Sequence, residues 1–378
     1  MANIMDYLDW RADIPFEVDP FNEVDSLVLC ELVYTAFDGI VPGPSLKDKI
    51  SIEDACNLFF EKYSKEELLA KTNLTKVAPF LMEKMAGSVR YGGMKLSGFV
   101  NEIDAIDQLQ FAACTFHLTD GTIFVAFRGT DDSLVGWKED FNMSFSNGTG
   151  GQRKAVDYLN DNFSSTMRPL RIGGHSKGGN FAVYASAFSF SHIKDNIIKI
   201  YNFDGPGFIP EIVQSAEYKS IVNKVIKFIP EESIIGLLMY TKAQIEIVES
   251  DNKGISQHDL MSWQITKNSF NRKEAVAESS QMTDDVLKKW VLKFDYETRE
   301  AFCDIFFGSM AASGATKFSQ VTSNKPRMIA TFTKEVQNLS PENQALVIDA
   351  ITSLVAYSGE SIKNSILSKI SKNILSKK

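Results

Sequence analysis

A serine flanked by glycines is the residue of this sequence whose surroundings point most clearly to chemistry. Gly174, Ser176 and Gly178 match the pattern G-x-S-x-G, which marks a sharp turn from a strand into a helix, a nucleophile elbow. Residues 169–172 are typical of a strand end, and residues 180–188 of a helix packed on a sheet. We therefore predict a serine nucleophile at the N-terminus of a helix, where negative charge is favoured. The competing interpretation is a glycine-rich turn with an incidental serine.

A serine hydroxyl is a weak nucleophile until a base removes its proton, and histidine is the usual base. The candidates are His117, His175, His192 and His258. On an elbow of this kind the chain order is serine, then acid, then histidine. His192 follows the serine too closely for a strand and an acid to lie between, so we predict that His258 is the base. We expect His117 to be packed in a strand, and His175 to point away from the hydroxyl.

The acid that orients the base is less clearly marked in the sequence. Asp204 ends the predicted strand that follows the elbow helix, and it precedes Gly-Pro-Gly. An acid there would orient the imidazole and stabilise its charged form. Aspartate also suits turns, so a purely structural Asp204 is the alternative interpretation. Glu231 and Glu232, at the end of the following strand, are the rival acids.

Attack on a carbonyl creates an oxyanion, which needs hydrogen-bond donors already in place. One predicted donor is the backbone N–H of Lys177, directly after the nucleophile. The second is Thr130, in the loop that follows an earlier predicted strand, where Gly129 permits a close turn. A Ser–Lys dyad using the Lys177 side chain is disfavoured, because that residue turns into the helix.

The elements around these residues predict an α/β fold. Residues 1–95 have mostly helical patterns, residues 96–268 alternate strands with helices, and residues 269–378 return to amphipathic helices. Alternating strands and helices indicate a mostly parallel sheet covered by helices on both faces. We therefore predict three parts with these bounds: a helical N-terminal cap region, a core and a helical C-terminal extension. The predicted strands are residues 109–118, 122–127, 169–172, 196–203, 222–229, 244–249 and 260–265.

Composition narrows the classes of function. The chain has 378 residues, with 44% hydrophobic and 23% charged residues, as in ordinary globular proteins. Its formal net charge of −8 argues against general nucleic-acid binding. The four cysteines are widely spaced, which gives no metal signature and suits a reducing compartment. No apolar run has the length of a membrane span, and the first residues do not resemble a secretory signal. We expect a cytoplasmic protein.

The last stretch, residues 361–378, contains five lysines and no acidic residue, with isoleucine at every fourth position from 362 to 374. This pattern predicts a cationic amphipathic helix. The favoured interpretation is a tail packed on the core through its isoleucine face. The alternative is peripheral contact with an anionic membrane or an acidic partner.

Several motifs together resemble a known family. The segment from Phe127 to Thr130, followed by Trp137 and Asp140 and then by the G-H-S-K-G elbow, resembles the class 3 lipases of the α/β-hydrolase superfamily. The longer segments 136–141, 202–208, 229–236 and 257–259 resemble a bacterial branch of that group, and the likeness covers roughly residues 20–268.

The resemblance implies an α/β-hydrolase fold and serine-esterase or lipase chemistry without a cofactor. It implies Ser176 as the nucleophile, His258 as the base and Thr130 at the oxyanion hole. The acid departs from the pattern, because class 3 lipases usually carry an aspartate in the loop that here contains Glu231 and Glu232. An acid at the position of Asp204 instead resembles the pancreatic-type lipases.

These features favour a serine hydrolase that cleaves a carboxylic ester, with a small-molecule or lipid ester as substrate, through an acyl-enzyme. One alternative is a hydrolase-like scaffold that binds a protein partner or a membrane with little turnover. Another keeps the acyl-enzyme but uses a thioester, or an acceptor other than water. Helices from residues 1–95 or 270–378 could form a lid. Acyl length, headgroup and oligomeric state are left open by the sequence.

Overall fold

The computed structural model describes residues 2–70, 75–131, 133–312, 314, 316, 317, 330 and 333–357. The predicted cationic helix at residues 361–378 lies outside the described residues. The helices are α1 (Ile4–Arg11), α2 (Glu23–Leu32), α3 (Ile52–Lys62), α4 (Lys65–Leu69), α5 (Ala78–Ala86), α6 (Leu134–Asn142), α7 (Gly150–Phe163), α8 (Lys177–Phe188), α9 (Ser191–Asn196), α10 (Pro210–Gln214), α11 (Ala216–Ile221), α12 (Glu278–Lys293), α13 (Tyr296–Ala312) and α14 (Pro341–Tyr357). The strands are β1 (Ile50–Ser51), β2 (Lys95–Asp104), β3 (Leu109–His117), β4 (Ile123–Phe127), β5 (Leu170–His175), β6 (Ile197–Phe203), β7 (Val225–Pro230), β8 (Gln244–Val248), β9 (Ile265–Thr266), β10 (Ser269–Phe270) and β11 (Arg272–Lys273).

The main sheet has the strand order β1-β2-β3-β4-β5-β6-β7-β8-β11. The five strands from β4 to β8 are parallel to their neighbours, whereas β3 and β11 pair in the antiparallel sense with β4 and β8. Strands β4 to β7 are apolar over most of their length and largely buried, as expected for strands covered on both faces.

Helices α2 and α8 cover opposite faces of this sheet. A Cβ added to Gly173 would lie 3.0 Å from the Cys30 sulfur of α2, whereas one added to Gly174 would meet the backbone of Gly178 in α8. Because successive residues of a strand point to opposite faces, the two helices lie on opposite sides. The predicted fold class, a mostly parallel sheet with helices on both faces, is confirmed.

Two predictions of secondary structure were wrong. The predicted strand at residues 260–265 is mostly a 3-10 turn at Leu260–Ser262, because the Asp259 side chain accepts from the backbone N–H of Met261 at 3.0 Å. The second concerns residues 282–307, whose amphipathic pattern predicts one continuous helix, whereas the structure has two, α12 and α13. Between them, the Asp295 side chain accepts from Thr298 N at 2.9 Å and starts a new helix.

The chain forms two compact units. The first comprises residues 1–103, 110–129 and 150–280, and it contains most of the sheet together with the N-terminal helices. The second comprises residues 104–109, 130–149 and 281–378. Within the second unit, α6 packs on α13 through Phe141 and Phe302, whose rings are 5.8 Å apart, and through an ion pair of 2.7 Å between Lys138 and Asp304. The three-part division of the sequence stays a prediction.

A buried ion pair connects the N-terminal segments of the first unit. The Arg90 guanidinium donates to both carboxylate oxygens of Asp25 on α2, at 2.8 and 2.5 Å, and both side chains are fully buried. Arg90 also donates to the carbonyl oxygens of Ile14 and Asp19, at 3.0 and 2.8 Å. One side chain therefore connects α2 with two segments that lack regular structure.

Candidate active site

The predicted elbow is a strand-turn-helix in the structure. Strand β5 ends at His175 and α8 begins at Lys177, and Ser176 between them has φ 57° and ψ −130°. This backbone conformation is rare for a residue with a side chain and costs on the order of 1–3 kcal/mol. The backbone N–H of Ser176 donates to Phe203 O at 2.9 Å, which ties the turn to the end of β6. The Ser176 side chain stays partly exposed.

Glycines let the chain fold tightly around this serine. A Cβ on Gly178 would overlap the carbonyl of Phe127, at the end of β4. A Cβ on Gly129 would lie 3.0 Å from the Ser176 Cβ. Larger residues would push the loop after β4, or the first turn of α8, away from the elbow. The short spacing of glycines in the motif thus has a steric cause.

Asp204 and His258 form a close pair at the carboxyl end of the parallel strands. Asp204 follows β6, is 1% exposed, and its Oδ2 lies 2.6 Å from Nδ1 of His258. Its other oxygen, Oδ1, accepts from Ser233 Oγ at 2.5 Å and from Gly236 N at 3.1 Å. These two donors hold the carboxylate from the side opposite His258. They therefore fix the orientation of Asp204 independently of the histidine.

The contact with Asp204 sets which nitrogen of a neutral His258 ring carries the proton. An ionised carboxylate only accepts hydrogen bonds, so Nδ1 of a neutral His258 carries the proton and Nε2 has a free lone pair. A neutral imidazole with an available Nε2 is the form that a general base requires. In the described part of the chain the Ser176 hydroxyl makes no hydrogen bond.

The rival acids have other partners. The Glu231 carboxylate lies 3.6 Å from Nζ of Lys273. The Glu232 carboxylate accepts from the backbone N–H of Gly254, and its own N–H donates to Gln257 at 2.8 Å. Both contacts of Glu232 hold the loop that carries His258. Among the described residues, neither glutamate forms a hydrogen bond with the His258 ring.

The ring of His175 lies beside that of His258, the predicted base. His175 is 5% exposed, and its ring centroid lies 4.4 Å from that of His258. Its Nδ1 lies 2.9 Å from the hydroxyl of Tyr34, and its Nε2 lies 2.9 Å from the carbonyl oxygen of His258. Burial, with the nearby His258 as the second cause, holds the pKa of His175 well below the usual value. No pattern in the sequence marked Tyr34, which follows α2 in the region predicted to be a helical cap.

The remaining histidines are structural or exposed. His117 is buried in β3, where Nε2 lies 2.8 Å from the Ser97 hydroxyl and burial lowers the pKa of the imidazole to about 4. His192 lies on the surface and its ring stacks on Phe190. The packed position of His117 in a strand agrees with the expectation from the sequence.

The two predicted oxyanion-hole residues have side chains with defined partners. Lys177 is buried, and its Nζ donates to the carbonyl of Gln110 at 3.1 Å and lies 5.5 Å from the ring of Phe181. An ammonium engaged in this way is poorly suited to act as a base for Ser176. In the second unit, Thr130 Oγ1 donates to Asp140 Oδ2 at 2.5 Å. The roles of the two backbone N–H groups stay predictions.

A buried carboxyl on α2 gives a test based on pH. Glu31 is 1% exposed, its Oε1 has no hydrogen-bond partner, and burial raises its pKa from 4.5 to about 8, with Asp259 as the second cause. An acid whose pKa is raised by folding destabilises the protein as pH increases, because the unfolded chain releases the proton first. The variant Glu31→Gln should therefore gain stability over the wild type between about pH 4.5 and pH 8, with no further gain above that range.

Urea unfolding at a series of pH values would measure this difference. Glu61→Gln, which changes an exposed glutamate on α3, is the matched control and should show a constant difference from the wild type. Equal pH dependence in Glu31→Gln and the wild type would contradict the prediction.

The strained serine on an elbow between parallel strand and helix places the protein in the class of α/β-hydrolase folds. A sequence model of the Mbeg1-like family matches residues 85–308, more than half of the chain, and the chain belongs to that lipase-like family. No curated protein matches the chain.

Among solved structures, the crystal structure of M37 lipase is similar at 15% sequence identity, with a TM-score of 0.33. The match covers 56% of this chain and 68% of that one. Within the described residues, no group of three or more His, Cys, Asp or Glu side chains is arranged to hold a metal ion. No described helix combines the length and the apolar character needed to cross a bilayer.

Proposed function

We propose that the protein is a serine hydrolase that cleaves a carboxylic ester, such as a lipid or acyl ester, through an acyl-enzyme. Ser176 is the nucleophile, His258 the general base and Asp204 the acid that orients it. The observation that carries the proposal is the 2.6 Å contact between Asp204 and His258 at the strand edge that also carries the strained Ser176. Family membership and fold support the ester-hydrolase class.

The first half of the reaction forms the acyl-enzyme. The Ser176 hydroxyl gives its proton to Nε2 of His258 while Oγ bonds to the substrate carbonyl carbon. Asp204 stabilises the resulting imidazolium through Nδ1 and does not take the proton itself. His258 then gives the proton to the leaving alkoxide, the ester C–O bond breaks, and the acyl group remains on Ser176.

The second half returns the enzyme to its starting state. Water gives a proton to Nε2 of His258 and attacks the acyl carbon, and the carboxylic acid leaves as Ser176 recovers its proton. The N–H groups of Lys177 and Thr130 are the proposed donors to the oxyanion in both halves. Removing one donor of an oxyanion hole commonly costs about 10²- to 10³-fold in kcat. The chemistry uses no cofactor.

We also propose the cytoplasm as the location. All four cysteines are free and buried, which is compatible with a reducing compartment. Peripheral membrane contact through residues 361–378 stays a secondary proposal based on their charge pattern alone.

Hydrolysis of esters with graded acyl chains tests the proposed function. The wild type should turn over at least one ester in the panel, and Ser176→Ala should lower kcat by at least about 10⁴-fold. Ser220→Ala removes an exposed serine hydroxyl on α11 and should retain full activity. A folded wild type that is inactive on the whole panel, with and without detergent, would favour the binding scaffold.

A further inference from the structure

A chain of hydrogen bonds starts at the loop after β4 and ends at the backbone of His258. The Gly129 N–H lies 3.2 Å from the Tyr34 hydroxyl, which lies 2.9 Å from Nδ1 of His175. Nε2 of His175 lies 2.9 Å from the carbonyl oxygen of His258. Tyr34 and His175 thus connect the loop beside the elbow, the elbow itself and the loop of the base. All of these residues belong to the first compact unit.

The direction of every hydrogen bond follows from the chemistry of its ends. The carbonyl of His258 can only accept, so Nε2 of His175 carries a proton and donates. The pKa of His175, held low by burial, keeps the ring neutral, and Nδ1 is therefore an acceptor. The Tyr34 hydroxyl must then donate to Nδ1, and its oxygen accepts the N–H of Gly129. Each of the three hydrogen bonds from Gly129 to His258 therefore pairs one donor with one acceptor.

We propose that Tyr34 and His175 are positioning residues that fix the backbone of His258, so that Nε2 of its ring faces the Ser176 hydroxyl. The carboxylate of Asp204 fixes the ring at Nδ1, but one hydrogen bond leaves the ring free to swing around that contact. The His175 bond to the backbone and the packing of the two rings remove this freedom. The inference rests on the proposed function, because it concerns how the proposed base is held.

Tyr34 also contacts Gly129, which follows β4. Its hydroxyl is the acceptor for the N–H of Gly129, where an added Cβ would lie only 2.6 Å from the carbonyl oxygen of His175. The same hydroxyl therefore holds both the backbone of Gly129 and the orientation of His175. Its removal should affect the rate of the chemical step rather than the binding of substrate, since a misplacement of about 1 Å at a reacting group costs about 10²-fold.

The variant Tyr34→Phe tests this role by removing a single oxygen atom. Its matched control is Tyr158→Phe, which removes a buried phenol hydroxyl that likewise has two partners, Thr115 and Gly98, each at 2.8 Å. A fluorophosphonate that reacts with activated serines would be used to measure both the final stoichiometry and the rate of labelling. Steady-state hydrolysis of the best ester would separate kcat from KM.

We expect Tyr34→Phe to reach the same final labelling as the wild type at a rate about 10- to 100-fold lower, with kcat reduced and KM within about threefold. Tyr158→Phe should label at the wild-type rate even if it melts at a lower temperature. A purely structural role for Tyr34 would lower the melting temperature and the labelled fraction but leave the rate per active site unchanged. That result would overturn the inference.

Nitrogen-15 NMR of the wild-type histidines gives a test that needs no variant. The inference requires His175 to be neutral at pH 7, with its proton on Nε2. A proton on Nδ1, or a doubly protonated ring, would overturn it. This test remains decisive even if Tyr34→Phe does not fold, because it uses the wild type. Absence of labelling in the wild type would instead reject the proposed function, whereas wild-type labelling with an unaffected Tyr34→Phe rate would reject this inference alone.

Discussion

Replacing Asp204 with asparagine is expected to lower kcat by about 10⁴-fold while the fold is retained. The reason lies in the donors on the far side of the carboxylate. Ser233 Oγ and the Gly236 N–H both donate to Oδ1 of Asp204. An asparagine must place its oxygen there, because its NH2 group cannot accept these bonds.

The amide NH2 of the variant would then face Nδ1 of His258. Nδ1 would become the acceptor, and the proton of the neutral ring would move to Nε2. A ring with its proton on Nε2 cannot take the proton of Ser176, so the variant would contain a well-ordered base in the wrong tautomer. KM should change little, since the Asp204 carboxylate is buried and is engaged by Ser233, Gly236 and His258.

Steady-state kinetics of Asp204→Asn and Glu231→Gln would decide between the candidate acids. Glu231→Gln should keep activity within about threefold of the wild type, because its carboxylate pairs with Lys273. A large loss in Glu231→Gln or Glu232→Gln, with little loss in Asp204→Asn, would assign the acid to the loop after β7. Circular dichroism of each variant would confirm that the fold is intact.

The variant Arg90→Met should lower the free energy of unfolding by about 3–5 kcal/mol. It leaves the Asp25 carboxylate buried without its counter-charge, and the hydroxyls of Tyr7 and Tyr91 cannot replace a cation. The carbonyls of Ile14 and Asp19 also lose their donor. Removing one partner of a buried pair costs far more than the pair itself contributes, because an isolated buried charge is left behind.

Chemical denaturation would measure this loss, with Lys84→Met as the matched control. Lys84 pairs with Asp9 near the surface, where the two side chains are 32% and 62% exposed, so its loss should cost less than about 1 kcal/mol. Losses of similar size in the two variants would contradict the account. The result also concerns the site, since α2, which carries Asp25, leads directly to Tyr34.

The elbow could be predicted because its information is local. Gly174 and Gly178 are required by contacts within a few residues of Ser176 and with the end of β4, so the motif and its flanks contain the whole signal. The parallel sheet was predictable for a similar reason, since its buried strands are short apolar runs separated by helical segments.

The acid and the positioning residues depend on contacts that are distant in the sequence. Asp204 is oriented by Ser233 and Gly236, which lie 29 and 32 residues further along the chain. Tyr34 lies 141 residues before His175. The apolar pattern of its helical region predicts which side chains are buried, but not which of them form hydrogen bonds. No local pattern distinguishes a tyrosine that packs from one that also holds a histidine.

Labelling of the purified protein with a fluorophosphonate, followed by intact-mass measurement and peptide mapping, tests the central claim most directly. We predict one adduct per chain on the wild type, located on Ser176, and none on Ser176→Ala. That result would mean that the serine is activated and that the oxyanion has donors. A folded wild type that forms no adduct, with or without detergent, or an adduct at any other serine, would contradict the account.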